Sequence, residues 1–111
     1  MDERLTITTT IDERGWLVLA VAGEIDLATA PQLVDCLVAA AGHDIAVDLS
    51  AVTFLDSSGL SALVAGSRAV AETGHVLRTF GERDTILRVL EISGLVPVFH
   101  EPDDEGSCNQ E

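Results

Sequence analysis

No lysine and no tyrosine occur among the 111 residues, and the aromatic complement is three phenylalanines and one tryptophan. Six arginines face nineteen acids, a net charge of −13. Neutralising phosphates takes a basic patch that scattered arginines cannot form against this field, so nucleic acid is not an expected partner. An anionic membrane surface repels such a chain for the same reason, and direct membrane contact is not expected. No apolar run approaches the roughly 18 residues of a spanning helix. A phosphate-binding loop needs a lysine, so any nucleotide must come with a partner and no cofactor is expected here. Acidity of this degree keeps a small domain soluble. It also steers a protein with a basic face toward the chain, at a rate that falls as salt rises.

Cysteine is scarce as well. Cys36 falls in a predicted helix and Cys108 in a polar C-terminal stretch, which is neither a disulfide framework nor a metal-binding spacing. Both read as free thiols of a reducing compartment. Met1-Asp2-Glu3-Arg4 lacks the basic flank and apolar stretch of a signal peptide, and a cytoplasmic protein is expected. The length fits one domain by the usual prior of roughly 100 to 150 residues. An apolar fraction of 47% is enough for a core that needs no disulfide or metal.

What is present is an alternation of strand and helix patterns. Leu5, Ile7, Thr9 and Ile11 alternate with polar neighbours, Asp12-Glu13-Arg14-Gly15 interrupts, and residues 16–22 form an almost wholly apolar run. This predicts a hairpin whose second strand is buried and begins at a packed Trp16. Gly23-Glu24-Ile25-Asp26 ends that strand. Thr29-Ala30-Pro31-Gln32 has the Thr-x-x-Gln spacing of a capping box, and a helix runs to about residue 41 before Gly42. Ile45, Val47 and Leu49 predict a short strand, with Phe54 and Leu55 apolar again before Asp56. A second helix carries Leu60, Leu63, Val64, Ser67 and Val70 on one stripe and closes at Gly74. A strand over 76–80, a helix over 83–92 with Ile86, Leu87 and Leu90 inward, and a short strand over 96–99 complete the order β-β-α-β-α-β-α-β. Such an order implies a single α/β domain, residues 1–100, built on a mostly parallel sheet with an antiparallel N-terminal edge hairpin. Residues 101–111 hold five acids and no periodicity and are expected to be a disordered tail.

The segment richest in chemistry is Phe54-Leu55-Asp56-Ser57-Ser58-Gly59-Leu60, where three helix-capping side chains stand in a row. One cap starts a helix. Asp56 or Ser57 can accept from a first-turn N–H group, which leaves Ser58 as the more readily spared hydroxyl, and Gly59 behind it is expected to let another protein approach closely. A phosphate on Ser58 would sit beside free N–H groups at the positive helix end, a placement worth roughly 0.3 to 1 kcal/mol. In an interface, the same group leaves an unpaired charge that costs about 3 to 5 kcal/mol, or two to three decades of affinity. A protein contact built on this turn would therefore yield before the fold does. The plainer reading of Asp-Ser-Ser-Gly is a helix N-cap.

Two motifs at the right separation carry a resemblance to the STAS family, specifically its single-domain anti-sigma factor antagonists. Gly23-Glu24-Ile25-Asp26 resembles the family's first strand-to-helix turn. Asp48-Leu49-Ser50 followed by Phe54-Leu55-Asp56-Ser57-Ser58-Gly59-Leu60 resembles its central signature, and Ser93-Gly94-Leu95 fits its pattern after the third helix. The resemblance covers roughly residues 5–100. It implies a partner switch in which the unphosphorylated chain binds an anti-sigma factor with an ATP-binding serine kinase fold and so releases a sigma factor for transcription. That kinase then phosphorylates the second serine of the signature, Ser58 rather than Ser57, and a serine phosphatase reverses the step. By the same comparison, Glu24, Asp26, Asp56, Ser57, Ser58, Gly59 and Leu60 form the partner-binding set. For Glu24 and Asp26 the alternative is a solvated turn whose acids suit the next helix. A family member can also be a stand-alone scaffold subunit of a lipid-transport or stress-sensing complex. Many members carry one more helix after the last strand. Residues 101–111 cannot supply a stable amphipathic one, which leaves self-association through such a helix an open question.

An enzyme is not expected. A hydrolase elbow needs glycine two residues before its serine, and Leu55 or Asp56 stands there. His43, His75 and His100 fall near predicted element ends, so no catalytic residue and no metal site is assigned.

Overall fold

The computed structural model of the protein describes residues 5–93. Strand β1 (Leu5–Ile11) pairs antiparallel with strand β2 (Leu17–Ile25). Helix α1 (Ala30–Ala39) then leads to strand β3 (Ile45–Leu55), helix α2 (Ser57–Ala71) to strand β4 (Leu77–Phe80), and helix α3 (Asp84–Ser93) follows. β3 is parallel to β2 and to β4, in the sheet order β1-β2-β3-β4. The mixed sheet, its antiparallel edge hairpin and the alternation with helices are those expected from the sequence pattern. Gly94, Leu95, the strand expected over 96–99 and the tail 101–111 lie outside the described residues.

The hairpin turn is built on Asp12. Its Oδ1 accepts from the backbone N–H groups of Arg14 at 2.9 Å and Trp16 at 3.0 Å, and Gly15 takes the left-handed conformation that closes the turn. Burial alone would raise the Asp12 carboxyl's pKa, but the bonds from Trp16 and Arg14 and the Arg14 charge hold it below the ordinary carboxylate value. Trp16 itself precedes β2 and is half-buried, flanked by the guanidinium groups of Arg14 and Arg78 at 5.1 and 5.8 Å from its ring. The expectation that it starts a buried strand is corrected. It lies on the side of the sheet away from the core, where the cations of Arg14 and Arg78 meet the indole.

The core lies on the other side. Leu19 and Val21 of β2, Ile45, Val47 and Leu49 of β3 and Leu77 of β4 point the same way, as the two-residue period of strands requires. They form one cluster with Leu33 and Leu37 of α1, Leu63 and Val70 of α2, and Ile86 and Leu90 of α3. Cys36 packs half-buried against its edge. α1 and α2 approach closely because Gly66 has no side chain. A Cβ there would run into the Cδ1 of Leu37 and stand 2.8 Å from its Cβ.

Two boundaries differ from the sequence pattern. β2 does not stop at residue 22 but continues through Gly23-Glu24-Ile25, and β3 is one eleven-residue strand instead of a short strand and a link. The reason is mutual pairing. Glu24 lies opposite Phe54 and Ile25 opposite Leu55, so each strand supplies the ladder that holds the other's weak segment. Register shifts between Ala20 and Ala22 and between Gly23 and Glu24 absorb the left-handed Gly23 at φ 114°. Gly66→Ala is expected to destabilise the domain by roughly 1 to 3 kcal/mol through overpacking against Leu37. A urea unfolding midpoint unchanged from the parent would refute that packing account.

Candidate functional site

The site forms where β2 and β3 end. Ile25 and Leu55 are paired, so the turns that follow them emerge side by side at the same end of the sheet. The N–H of Asp56 donates to the Ile25 carbonyl at 3.3 Å, which ties the second turn to the first. Ligand sites of open α/β sheets gather at this carboxyl end of parallel strands.

In the first turn, Asp26 does the organising. Its Oδ1 accepts from the N–H groups of Ala28 at 3.0 Å and Thr29 at 3.1 Å, and its carbonyl accepts from Ala30 N–H at 2.7 Å. The buried Thr29 hydroxyl donates to the Glu24 carbonyl at 2.7 Å and accepts from the Asp26 N–H at 2.9 Å. Thr29 has no oxygen left for the helix, and Gln32 reaches to the Leu5 carbonyl at 3.3 Å. The capping box expected at Thr29-Ala30-Pro31-Gln32 is therefore not formed. The same oxygen is used inside the turn, where it satisfies the partly buried Glu24 carbonyl. Asp26 is half-buried and Glu24 exposed on β2.

In the second turn, Asp56 is the N-cap of α2. Its extended backbone, φ −111° and ψ −169°, directs Oδ1 at the N–H groups of Ser58 at 2.9 Å and Gly59 at 3.1 Å. Its carbonyl accepts from Leu60 N–H at 3.0 Å. Of the two candidate caps, the carboxylate takes the position, and the hydroxyls of Ser57 and Ser58 make no hydrogen bond among the described residues. Ser57 is exposed and Ser58 half-buried.

Two expectations change as a result. Two of the N–H groups expected beside a Ser58 phosphate, those of Ser58 and Gly59, are already occupied by Asp56, so a phosphoryl group there would also meet a carboxylate. Gly59 does not clear an approach for another protein. It is buried, and a Cβ on it would clash with Leu55 Cδ1 and stand 2.8 Å from Ile25 Cγ2. Glycine is needed there so that the start of α2 can lie directly on β2 and β3. Leu60, half-buried, packs against the core below.

Sequence reasoning missed Leu27. It sits exposed at 78%, the highest value among the large apolar side chains described, on the turn that Asp26 shapes. With Ala30, Pro31 and Val34 of α1 and Ser58, Ser61, Ala62 and Ala65 of α2 it lines an apolar groove of about 400 Å³. Ser58 is thus part of the groove wall. The only signal available in the sequence was an isolated leucine between Asp26 and Ala28, which no periodicity distinguishes from a core residue.

No histidine approaches this turn among the described residues. His43 bonds the Ala40 carbonyl and His75 pairs with Asp44 at 3.1 Å, both at the start of β3 and β4, about 30 Å along β3 from Ser58 at roughly 3.3 Å per residue. His100 lies outside the described residues, as does Cys108. No group of three His, Cys, Asp or Glu side chains suited to a metal ion occurs among the described residues. No helix described is long and apolar enough to cross a membrane.

Replacing Asp56 by Ala is expected to cost about 1 kcal/mol, within the 0.5 to 2 kcal/mol range of lost N-caps, whereas Asn should hold the helix nearly as well. Equal unfolding free energies for the Ala and Asn variants would remove Asp56 as the cap.

Known proteins match both the pattern and the architecture. A family model described as "Mlab, STAS domain" matches residues 10–97. The anti-sigma-B factor antagonist of Listeria monocytogenes is 34% identical over 92 residues, covering 80% of this chain and 81% of the relative. That of Staphylococcus aureus is 34% identical over 99 residues, covering 86% and 91%. Among solved structures, an anti-sigma factor antagonist from Mycobacterium paratuberculosis superposes with a TM-score of 0.73 at 32% identity, over 90% of this chain and 87% of that one. The Bacillus protein SpoIIAA in its phosphorylated form shares the fold at a TM-score of 0.65 and 20% identity, over 93% and 90%. With its four-stranded mixed sheet, its paired turns at Asp26 and Asp56 and a family match that spans both of them, the chain belongs to the STAS-domain family.

Proposed function

We propose that this protein is an anti-sigma factor antagonist controlled at Ser58. Its partner is an anti-sigma factor with an ATP-binding serine kinase fold, which it binds in the unphosphorylated state, so that the sigma factor is released for transcription. Phosphorylation of Ser58 ends the contact, and a serine phosphatase restores it. Catalysis belongs to those partners. The chain is substrate and competitor, and it acts in the cytoplasm.

The observation that carries this reading is the place of Ser58. Its hydroxyl makes no hydrogen bond among the described residues, while the Asp56 carboxylate takes the neighbouring N–H groups. The serine also forms part of an apolar groove rimmed by Leu27. An unmodified serine there is compatible with an apolar partner surface. A phosphorylated one brings about −1.5 to −2 charges beside Asp56, with no arginine among the residues that line the groove to receive them. Leaving such a charge unpaired costs about 3 to 5 kcal/mol, enough to lower affinity by two to three decades. Ser57, exposed and outside the groove lining, lacks that leverage and is the weaker acceptor.

Glu24, Asp26, Asp56, Ser57, Ser58, Gly59 and Leu60 contribute unequally. Asp26, Asp56 and Gly59 shape the two turns, and Leu60 seats α2, so their effect on binding is indirect. Glu24, Ser57, Ser58 and Leu27 present the surface. The curated relatives named above are anti-sigma-B factor antagonists, which favours this reading over a scaffold subunit of a lipid-transport or stress-sensing complex.

Incubation with a cognate kinase-type anti-sigma factor and ATP should place phosphate on Ser58, and the phosphorylated protein should bind 100- to 1000-fold more weakly. Phosphopeptide mapping without modification of Ser58, or undiminished binding by the phosphorylated chain in calorimetry, would sink the switch. Independently, Leu27→Asp should weaken binding by at least tenfold, the size of a 1.4 kcal/mol loss at a buried apolar contact, with the unfolding midpoint unchanged. An unaltered Kd would take Leu27 out of the interface.

A further inference from the structure

The groove beside Ser58 does not end with the first turn of α2. Both α1 and α2 start at the carboxyl end of the sheet and run back over its core side, and the groove lies between them. Val34 of α1 and Ala62 and Ala65 of α2 carry it about two turns beyond Ser58. Val38 stands one turn further along α1 on the same side as Val34 and is 51% exposed. Its floor is kept low by small groups, since Ala62 is buried and Gly66 lets Leu37 close the base.

Shape and chemistry together select the occupant. Two helix walls leave no row of open backbone donors and acceptors between them, because each helix bonds its own backbone, so an extended strand finds no ladder here. A third helix, by contrast, packs its ridge into such a groove at the usual interaxial distance of about 8 to 10 Å. None of the lining residues is charged, which calls for an apolar stripe on that helix. The outer flanks carry opposite charges. Asp35 on α1 and Arg68 on α2 are both exposed, and the side chain of neither has an ion-pair or hydrogen-bond partner among the described residues. The complement is an amphipathic helix with a cation on the Asp35 flank and a carboxylate on the Arg68 flank. Arg68 lies ten residues beyond Ser58 on α2, about 15 Å at 1.5 Å per residue, so it serves this flank and is too far away to neutralise a phosphate on Ser58.

We propose that the groove between α1 and α2 receives an amphipathic helix of the protein that binds at Ser58, with its apolar stripe on Val34, Val38 and Ala65 and a carboxylate at Arg68. This rests on the antagonist reading and adds to it the element by which the partner is held.

The test uses the full chain and a cognate kinase-type anti-sigma factor in calorimetry. Ala65→Trp fills the groove and Val38→Glu charges its far end, and each should weaken binding at least tenfold. Far-ultraviolet circular dichroism and an unfolding midpoint matching the parent's establish that both variants are folded. Arg68→Glu should weaken binding about fivefold at low salt and by less at about 1 M salt, where the Debye length is about 3 Å. General steering toward a basic partner predicts the opposite sign, so unchanged or tighter binding by this variant would overturn the proposal. A benzophenone photocrosslinker at position 38 should capture partner residues spaced three or four apart, and capture in an extended segment would overturn the helical occupant. Binding that falls on Ser58 phosphorylation but ignores Ala65→Trp would overturn this inference and leave the antagonist reading standing. Absence of binding by the unmodified parent would instead remove that reading and this inference with it. A dimer of the parent alone in sedimentation, abolished by Ala65→Trp, would overturn the proposal by making a second copy the occupant.

Discussion

The parallel pairing of β2 with β3 at Ile25 and Leu55 is the constraint on which the site depends. It sets the two strand-to-helix turns beside each other, and the bond from Asp56 N–H to the Ile25 carbonyl locks one to the other. Gly59 then lets α2 rest on both strands with no side chain between. If α2 were lifted by the width of one methyl group, Ser58 would leave the wall of the groove that Leu27 rims. The position of a surface serine is thus fixed by a buried glycine.

Division of labour among the polar groups follows from the same geometry. Carboxylates of Asp26 and Asp56 each satisfy two backbone N–H groups at the start of a helix, so they are spent on the fold. Hydroxyls of Ser57 and Ser58 remain outside that accounting. A turn stabilised by its own acids has little further use for an added anion, and the proposed phosphate on Ser58 would correspondingly be felt by whatever lies against the groove. The proposed switch at Ser58 requires selectivity for the interface over the fold, and it would draw that selectivity from a helix start whose Ser58 and Gly59 N–H groups are held by Asp56 before any modification.

Charge is distributed with a similar asymmetry. The helix side of the molecule presents a groove of small and aliphatic side chains, and the sheet side gathers Arg14 and Arg78 around Trp16. Nineteen acids make the whole chain repel anions, which gives these two arginines a weight they would lack in a neutral protein.

Periodicity made the α/β alternation, the hairpin and most inward-facing residues legible, because a strand or helix must bury one face whatever it packs against. Leu33, Leu37, Leu63, Val70, Ile86 and Leu90 are in the core as their spacing demanded. Asp56-Ser57-Ser58-Gly59 was legible as a capped helix start, since capping is a local interaction of adjacent residues. The chain by itself could not say which of two capping groups would win, that Thr29 would turn inward to Glu24, that Gly59 faces Ile25 and Leu55, or that Leu27 would stand exposed at Ser58's groove. Each of those outcomes is decided by residues at least about thirty positions apart, or by a hydrogen bond chosen against a competitor. Local sequence sets which groups are available, and only the closed tertiary structure decides which of them are used up and which are left facing out.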